Sequence, residues 1–353
     1  MKRLLTLLVA ALVGGCAGGG DGAAPVPRFE DVGAGEAFPI DGAAGFDTRR
    51  GYLIVHERAG DPASGEVRVP VAIVRARTPN GAPPVVFLQG GPGVGRLDAA
   101  NYPTAYPWTT QRDFIVIGPR GTAHADPALP CPEYAEALVA DAPGGLVAAA
   151  TVCRRRYGEE GIDVASYHTA ASARDMEDLR VALGIDAWSL YGLSYGTRLA
   201  LTYARDYPDG VASMILDSPL PHGADYDAES PANFADALRR VASACAAVPA
   251  CRAAYPDLYQ RFSDAVAALK EEGAAADRVA HISLGAPRAV ARAPLLMDAL
   301  ARGDAGPFGP SAAASSGTSR FTFAWGLRIS VWCAEAFPFR DRADARAPLD
   351  TFA

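Results

Sequence analysis

The chain has 353 residues, of which 50% are hydrophobic and 21% are charged, and its mean hydropathy is +0.05. This balance is typical of a globular protein with a buried core, and it excludes disordered, collagen-like and coiled-coil chains. The net charge is -7, from 33 basic and 40 acidic residues, so no basic surplus is present for a phosphate backbone and no nucleic acid partner is expected.

The first sixteen residues have the pattern of a targeting segment. A basic start precedes a largely apolar stretch at 4–13, and two glycines and Cys16 follow. We predict a signal peptide over residues 1–16, because the apolar stretch is shorter than the roughly 20 residues that span a bilayer. The residues around Cys16 resemble the bacterial lipobox, in which the cysteine is lipidated and becomes the new N-terminus. The alternative is an ordinary cleaved signal in which Cys16 is incidental.

This prediction sets the expected location of the protein. We expect export to the bacterial cell envelope, either lipid-anchored or as a periplasmic or secreted protein, with the membrane as a partner through the N-terminal lipid. Residues 17–45, which begin with a run of Gly, Ala, Pro and Asp, are expected to form a flexible tether.

Export permits disulfides among the cysteines beyond Cys16. Their spacing does not match a zinc site, so no metal is expected. Two pairings are open: a small loop closed by Cys245 and Cys251, and a longer one closed by Cys131 and Cys153. Cys333 is then left over, either as a buried free thiol or with a partner outside this sequence.

Residues 46–220 contain alternating predicted strands and helices, as in a doubly wound α/β sheet. The first two strands are expected to form an antiparallel pair, and the two short apolar runs after them are expected to be buried parallel strands. The predicted strands are 52–57, 67–76, 84–89, 113–118, 187–192 and 211–216, and the predicted helices are 172–183 and 195–207.

The pattern changes after this core. Residues 221–320 are alanine-rich with Gly and Pro breaks, and we predict an inserted helical cap there, with a run of peripheral helices as the alternative. Residues 321–353 are expected to begin the return to the core.

The strongest motif is Gly192-Leu193-Ser194-Tyr195-Gly196, a G-x-S-x-G between a predicted strand and a predicted helix. In this context the pattern predicts a nucleophile elbow, a turn too tight for side chains at its glycines, which exposes the serine hydroxyl at the start of a helix. We therefore predict that Ser194 is a nucleophile.

A second motif, Leu88-Gln89-Gly90-Gly91-Pro92-Gly93, directly follows a strand that is expected to lie beside the elbow strand. The backbone N–H groups of Gly91 and Tyr195 are the predicted oxyanion hole. The alternative is a plain tight turn. A third motif, Arg120-Gly121-Thr122, is predicted to be structural, with Arg120 holding neighbouring loops by charge-assisted hydrogen bonds.

The order of the GGPG loop, the RGT motif and the stretch YGLSYGTRLALTYARDYPDGVASMILDSPLP resembles the serine peptidases of the prolyl aminopeptidase and tripeptidyl aminopeptidase (TAP-like) group. The resemblance implies an α/β-hydrolase fold with a mostly parallel sheet, and hydrolysis near a peptide's N-terminus through an acyl-enzyme on Ser194, without metal or cofactor. Two positions, Gln89 and Gly118, depart from the pattern of many members, which have His and Asp there, and are interpreted as marks of a subfamily.

A later stretch also matches this group. Residues 329–335, ISVWCAE, look like the S-V-x-C-x-E segment of the tripeptidyl-type branch. The resemblance implies that Glu335 recognises the free amino group of the substrate, since a carboxylate suits an ammonium. The alternative is a solvated or salt-bridged surface acid.

The rest of the catalytic triad is harder to find. This fold orders it as serine, then acid, then histidine, and only His222 and His281 follow Ser194. Neither fits the expected loop after the last strand; a degenerate pair of Asp217 and His222 is a weak alternative. The resemblance also calls for two further strands, so we expect a C-terminal truncation that lacks the acid, the histidine and the partner of Cys333. Such a fragment would be inactive as it stands.

The sequence thus predicts an exported serine hydrolase of the aminopeptidase type that acts on peptides. One alternative is an esterase or lipase-like hydrolase acting on esters, since the same elbow serves any acyl transfer. The other is a non-catalytic envelope lipoprotein that keeps the pocket for binding.

Overall fold

A computed structural model describes residues 25–32, 45–95, 97, 102–106, 110–140, 144–271, 279, 282, 284–304, 306–308 and 323–340. The predicted signal peptide with Cys16 lies outside these residues, as does His281. Within the described ranges, no helix has the length and apolar character needed to cross a membrane.

In the described residues, seven strands form one mixed sheet in the order β1-β2-β3-β5-β4-β6-β7. The first three strands and the β3–β5 pair are antiparallel, and β5, β4, β6 and β7 are parallel neighbours. The mostly parallel sheet and its opening antiparallel pair are confirmed. The strands are β1 (Arg28–Asp31), β2 (Thr48–His56), β3 (Glu66–Val74), β4 (Val85–Leu88), β5 (Phe114–Ile117), β6 (Trp188–Leu193) and β7 (Val211–Asp217).

The two central strands are short and continuously apolar because both faces of the sheet are covered. All four residues of β4 and all four of β5 are buried. Their side chains alternate between two core clusters: Val86 and Leu88 belong to one, and Val85 and Phe87 to the other. At the far side, β7 is an edge of the described sheet and exposes Ile215. That further strands follow it stays a prediction.

The helices of the core follow the predicted alternation. The helix predicted at 172–183 begins earlier, at Thr169, because the His168 side chain accepts a hydrogen bond from the Ala171 N–H and caps it. The helices are α1 (Tyr102–Ala105), α2 (Pro132–Ala140), α3 (Gly145–Glu159), α4 (Thr169–Ala182), α5 (Tyr195–Asp206), α6 (Tyr226–Ala247), α7 (Pro249–Ala254), α8 (Leu258–Glu271), α9 (Pro287–Ala301) and α10 (Trp325–Glu335), with 3-10 turns at Val164–Ser166, Pro208–Gly210, Gly306–Phe308 and Phe337–Phe339.

The structure differs from the expected tether at 17–45, because β1 lies within that range and pairs with β2. Phe29 packs against the core and lies under the Arg49 guanidinium, 4.7 Å from its ring centre. Gly51 makes room for it, since a Cβ there would be 2.4 Å from both the Phe29 ring and the Glu30 carbonyl oxygen. One aromatic residue in a charged run gave too weak a pattern to predict this strand.

The described residues that follow β7 are mostly helical. Helices α6, α8 and α9 enclose a core cluster of their own, which includes Leu238, Phe262 and Met297. A buried Asp298 carboxylate holds two of these helices through ion pairs with Arg261 and Arg302. That this unit is a cap stays a prediction.

Both predicted disulfides are confirmed. Cys245–Cys251 joins α6 to α7, and Cys131–Cys153 joins the start of α2 to α3. Cys333 is free and exposed, so the alternative of a buried free thiol is wrong, and a partner outside this sequence stays a prediction. It lies on the surface of α10, whose opposite side packs on the main core through Leu327 and Val331.

Candidate active site

Ser194 occupies the turn between the end of β6 and the start of α5. Its φ is 55° and its ψ is −120°, a backbone conformation that residues other than glycine rarely adopt. Backbone strain of this kind is characteristic of functional sites. The side chain is exposed, so its hydroxyl is open to a substrate.

The glycines of the motif are required by close backbone contacts. A Cβ at Gly196 would lie 1.9 Å from the Leu88 carbonyl oxygen at the end of β4. A Cβ at Gly192 would lie 2.6 Å from the Gly196 carbonyl oxygen. Only glycine lets β6, α5 and β4 approach each other this closely, and that approach brings the glycine-rich loop after β4 to the elbow.

Backbone hydrogen bonds hold the elbow in place. The Ser194 N–H donates to the Asp217 carbonyl at the end of β7 (2.9 Å), and the Thr197 N–H and hydroxyl both donate to the Ser194 carbonyl (2.9 and 2.6 Å). The Thr197 hydroxyl in turn accepts from the Leu220 N–H at 2.7 Å. Asp217 therefore supports the nucleophile through its backbone.

The glycine-rich loop lies against the nucleophile. The predicted neighbourhood is confirmed, since β4 and β6 are parallel partners. A Cβ at Gly90 would lie 3.1 Å from the Ser194 Cβ and 3.5 Å from its Oγ. Gly91 has a φ of 122°, and neither its N–H nor that of Tyr195 donates to another group in the described part of the chain. Two unused N–H donors beside a serine are what an oxyanion hole needs.

Helix α10 holds this loop from the far end of the sequence. The Arg328 Nη1 donates to the Gly91 carbonyl at 3.0 Å, and the Ala324 N–H donates to the Gly93 carbonyl at 3.0 Å. Sequence reasoning missed both contacts. The available signal was an arginine and a tryptophan four residues apart on this helix, Arg328 and Trp332.

Glu335, the predicted ammonium acceptor, is engaged by the protein. Its Oε1 accepts from the Thr169 N–H at the start of α4 (2.7 Å), where the helix dipole favours a carboxylate, and its Oε2 lies 3.8 Å from the Arg198 guanidinium. The Thr169 hydroxyl bonds to the Tyr195 hydroxyl at 2.8 Å. Burial, together with the nearby Glu335 carboxylate, raises the pKa of Tyr195. These contacts match the salt-bridged alternative, although 22% of the Glu335 side chain stays exposed.

The Asp217 and His222 pair is not brought together. The His222 Nε2 is 2.9 Å from the Thr202 hydroxyl, and Thr202 lies eight residues beyond Ser194 along α5, about 12 Å at 1.5 Å per residue. The Asp217 carboxylate accepts from the Ser218 hydroxyl instead. Burial and the charges of Arg205 and Arg198 lower the pKa of His222.

No described histidine donates to or accepts from the Ser194 hydroxyl. His168 caps α4, and its pKa is lowered by burial. Within the described residues, therefore, no hydrogen bond joins the Ser194 hydroxyl to a catalytic base.

Arg120 has the structural role that was predicted. Its guanidinium makes two hydrogen bonds to the Asp175 carboxylate (2.8 and 2.6 Å) and donates to the Glu57 and Ser166 carbonyls (2.8 and 3.0 Å). The pair is buried, so it fixes the loop after β5 to α4.

One group of metal-type ligands occurs in the described ranges, Cys131, Glu133 and Cys153. Both of its cysteines form a disulfide, so neither offers a thiolate to a metal ion.

A mixed sheet with a parallel centre and a strained serine between strand and helix points to one fold family. The family model for the alpha/beta hydrolase fold matches residues 83–280, more than half of the chain. This chain belongs to the α/β-hydrolase family. The predicted fold class is confirmed.

Curated relatives of this α/β hydrolase include proteins named as peptidases. The serine protease Hip1 of Mycobacterium tuberculosis is 30% identical over 187 residues, which are 47% of this chain and 36% of Hip1. The tripeptidyl aminopeptidase of Streptomyces coelicolor is 31% identical over 150 residues (38% of this chain, 28% of the relative). The proline iminopeptidase of Xylella fastidiosa is 48% identical over 42 residues (12% and 13%). The chain thus spans about a third of the Hip1 length, and the similarity supports the predicted peptidase group.

Proposed function

We propose that this α/β hydrolase is a serine peptidase that releases residues or short peptides from peptide N-termini through an acyl-enzyme on Ser194. The observation that carries the proposal is the geometry at Ser194. Its exposed hydroxyl lies at a strained turn with the Gly90 backbone against it. Within the described part of the chain, the nearby N–H groups of Gly91 and Tyr195 donate to no other group.

The proposed reaction begins with removal of the Ser194 proton by a general base and attack of Oγ on the substrate carbonyl carbon. The negative oxygen of the tetrahedral intermediate accepts hydrogen bonds from the Gly91 and Tyr195 N–H groups. The C–N bond then breaks, the amine leaves with the proton, and water hydrolyses the acyl-enzyme. We propose that the base comes from outside the described residues, since none of the described histidines forms a hydrogen bond with Ser194.

Specificity for the N-terminus is supported by the names of the relatives, a tripeptidyl aminopeptidase and a proline iminopeptidase. Glu335 is the candidate acceptor for the substrate ammonium, and its partial exposure is compatible with that role. Substitution Glu335→Gln separates the two alternatives. A recognition role predicts a raised KM for free-amine peptides with no change for N-acetylated ones. A purely structural role predicts equal effects on both.

We propose that the protein is exported by the segment at residues 1–16 and anchored through a lipid on Cys16. The two disulfides support an oxidising compartment, because such bonds are rare in the reducing cytosol. Metabolic labelling with a fatty-acid analogue tests the anchor: label on wild type and none on Cys16→Ser supports it, and label on both contradicts it.

A fluorophosphonate probe tests the proposed activity, because it reacts with activated serines. In the intact protein, with its general base present, we expect labelling of the wild type and of Ser230→Ala, a matched control at a half-buried serine on α6, and no labelling of Ser194→Ala. Labelling of Ser194→Ala would overturn the nucleophile assignment.

Substrate class is then measured with a free-amine peptide nitroanilide, its N-acetylated form and a nitrophenyl ester. Preference for the free amine supports the aminopeptidase. Turnover of the ester alone would favour the esterase alternative, and a wild type that neither reacts nor turns over any substrate would favour a binding role.

A further inference from the structure

Helix α10 contacts the glycine-rich loop at two carbonyls that flank Pro92. The Gly93 carbonyl accepts from the Ala324 N–H, and the Gly91 carbonyl accepts from Arg328, each at 3.0 Å. The fit is close, since a Cβ at Gly93 would lie 2.8 Å from the Ala324 carbonyl oxygen. The loop and α10 therefore have a defined relative position, although 237 residues separate Arg328 from Gly91 in sequence.

The same helix contacts the other half of the proposed oxyanion hole. The Arg328 guanidinium lies over the Trp332 ring, 5.2 Å from its centre. Trp332 is buried and meets the Tyr195 ring edge-on, with 6.3 Å between ring centres. Gly91 and Tyr195, which carry the two proposed N–H donors, are thus connected through Arg328 and Trp332.

We propose that Arg328 is a positioning residue that orders the oxyanion loop of this enzyme; the inference rests on the function proposed above. Glycines have wide backbone freedom, so a loop of three glycines and a proline is costly to order. A charge-assisted bond to the Gly91 carbonyl fixes the peptide unit that follows the Gly91 N–H. Displacement of such a group by about 1 Å can cost up to about 100-fold in rate.

The test is the rate constant for labelling of Ser194 by the fluorophosphonate probe, together with kcat and KM on the free-amine peptide. Arg328→Met is expected to slow labelling and lower kcat by about 10- to 100-fold with KM nearly unchanged. Arg328→Lys should recover part of the rate, because an ammonium can still donate to the carbonyl. Added guanidinium ion, well below denaturing concentration, should partly restore Arg328→Ala.

Arg154→Met is the matched control. Arg154 is exposed on α3, and no hydrogen bond or ion pair joins its side chain to another of the described residues. Its variant should label at the wild-type rate. Equal rates in Arg328→Met and wild type would overturn the proposal. A loss that matches a lowered melting temperature, with recovery from neither lysine nor guanidinium, would assign Arg328 to stability alone.

If the proposed function itself is wrong, the wild type is not labelled at all, which distinguishes this case from failure of the Arg328 proposal. Amide hydrogen exchange at Ala324, whose N–H donates to the Gly93 carbonyl, then tests the order of this loop without any need for activity. Faster exchange in Arg328→Met than in wild type supports the positioning role, and unchanged exchange contradicts it. The same measurements are made on Arg328→Lys if the methionine variant does not fold.

Discussion

Substitution Gly196→Ala tests the idea that the elbow depends on close approach of three backbone segments. The added Cβ would lie 1.9 Å from the Leu88 carbonyl oxygen, whereas real contacts of this type stay beyond 3.0 Å, so β4 and α5 must separate by at least about 1 Å. Overpacking of this kind costs about 1–3 kcal/mol in the free energy of unfolding. The same displacement moves Gly90 and Gly91 relative to Ser194, and we expect labelling to slow by about 100-fold.

The assay combines urea unfolding with the rate of fluorophosphonate labelling. Gly158→Ala is the matched control, because Gly158 lies in helix α3 and a Cβ there meets nothing within 4 Å. Alanine favours the helix, so this variant should be more stable than wild type by up to about 1 kcal/mol, with unchanged labelling. The reasoning fails if Gly196→Ala unfolds at the same urea concentration as wild type and labels equally fast.

Two further predictions concern the acids of helix α4. Asp175→Asn removes the charge that pairs with buried Arg120 and should lower the free energy of unfolding in urea by about 3–5 kcal/mol. The control is Glu159→Gln on α3, whose ion pair has both side chains 71% exposed, and it should change that free energy by no more than about 1 kcal/mol. Equal losses in the two variants would contradict this prediction. Burial and the neighbouring Asp175 raise the pKa of Asp178 from 3.8 to about 6. The folded state therefore binds the proton of the Asp178 carboxyl group more tightly than the unfolded state does. The contribution of this proton to the free energy of unfolding is fully present below the unfolded pKa and is lost as the pH rises through about 6. At roughly pH 8 the free energy of unfolding of Asp178→Asn should be higher than that of wild type by on the order of 1 kcal/mol, and at roughly pH 4 the difference should be smaller. A difference independent of pH would refute the assignment.

The parts of the fold that the sequence predicts are those determined by short segments. The parallel strands were predicted because continuous apolar runs such as β4 and β5 satisfy burial on both faces. The elbow was predicted because its glycines and serine are contiguous and their steric requirement is local. The position of the glycine-rich loop beside the elbow was predicted because the strand before the loop was expected to lie next to the elbow strand.

The contacts that were missed join segments far apart in the chain. Arg328 reaches Gly91 across 237 residues, and Glu335 reaches the Thr169 N–H across 166. A single arginine or glutamate has no periodicity that marks its partner, so the sequence left both the role of Arg328 and the two alternatives for Glu335 open. Packing determines these contacts, and packing is not visible in a local pattern.

The placement of His222 follows the same logic. The buried Arg198 donates through Nη2 to the carbonyls of Pro221, His222 and Ala224 (3.0, 3.1 and 2.9 Å), which fixes this turn on α5. With the backbone held there, the imidazole meets the Thr202 hydroxyl, two turns of helix away from Ser194. A histidine five residues after the strand-end acid Asp217 is close to it in sequence, yet one arginine on the helix decides that it serves as a structural contact.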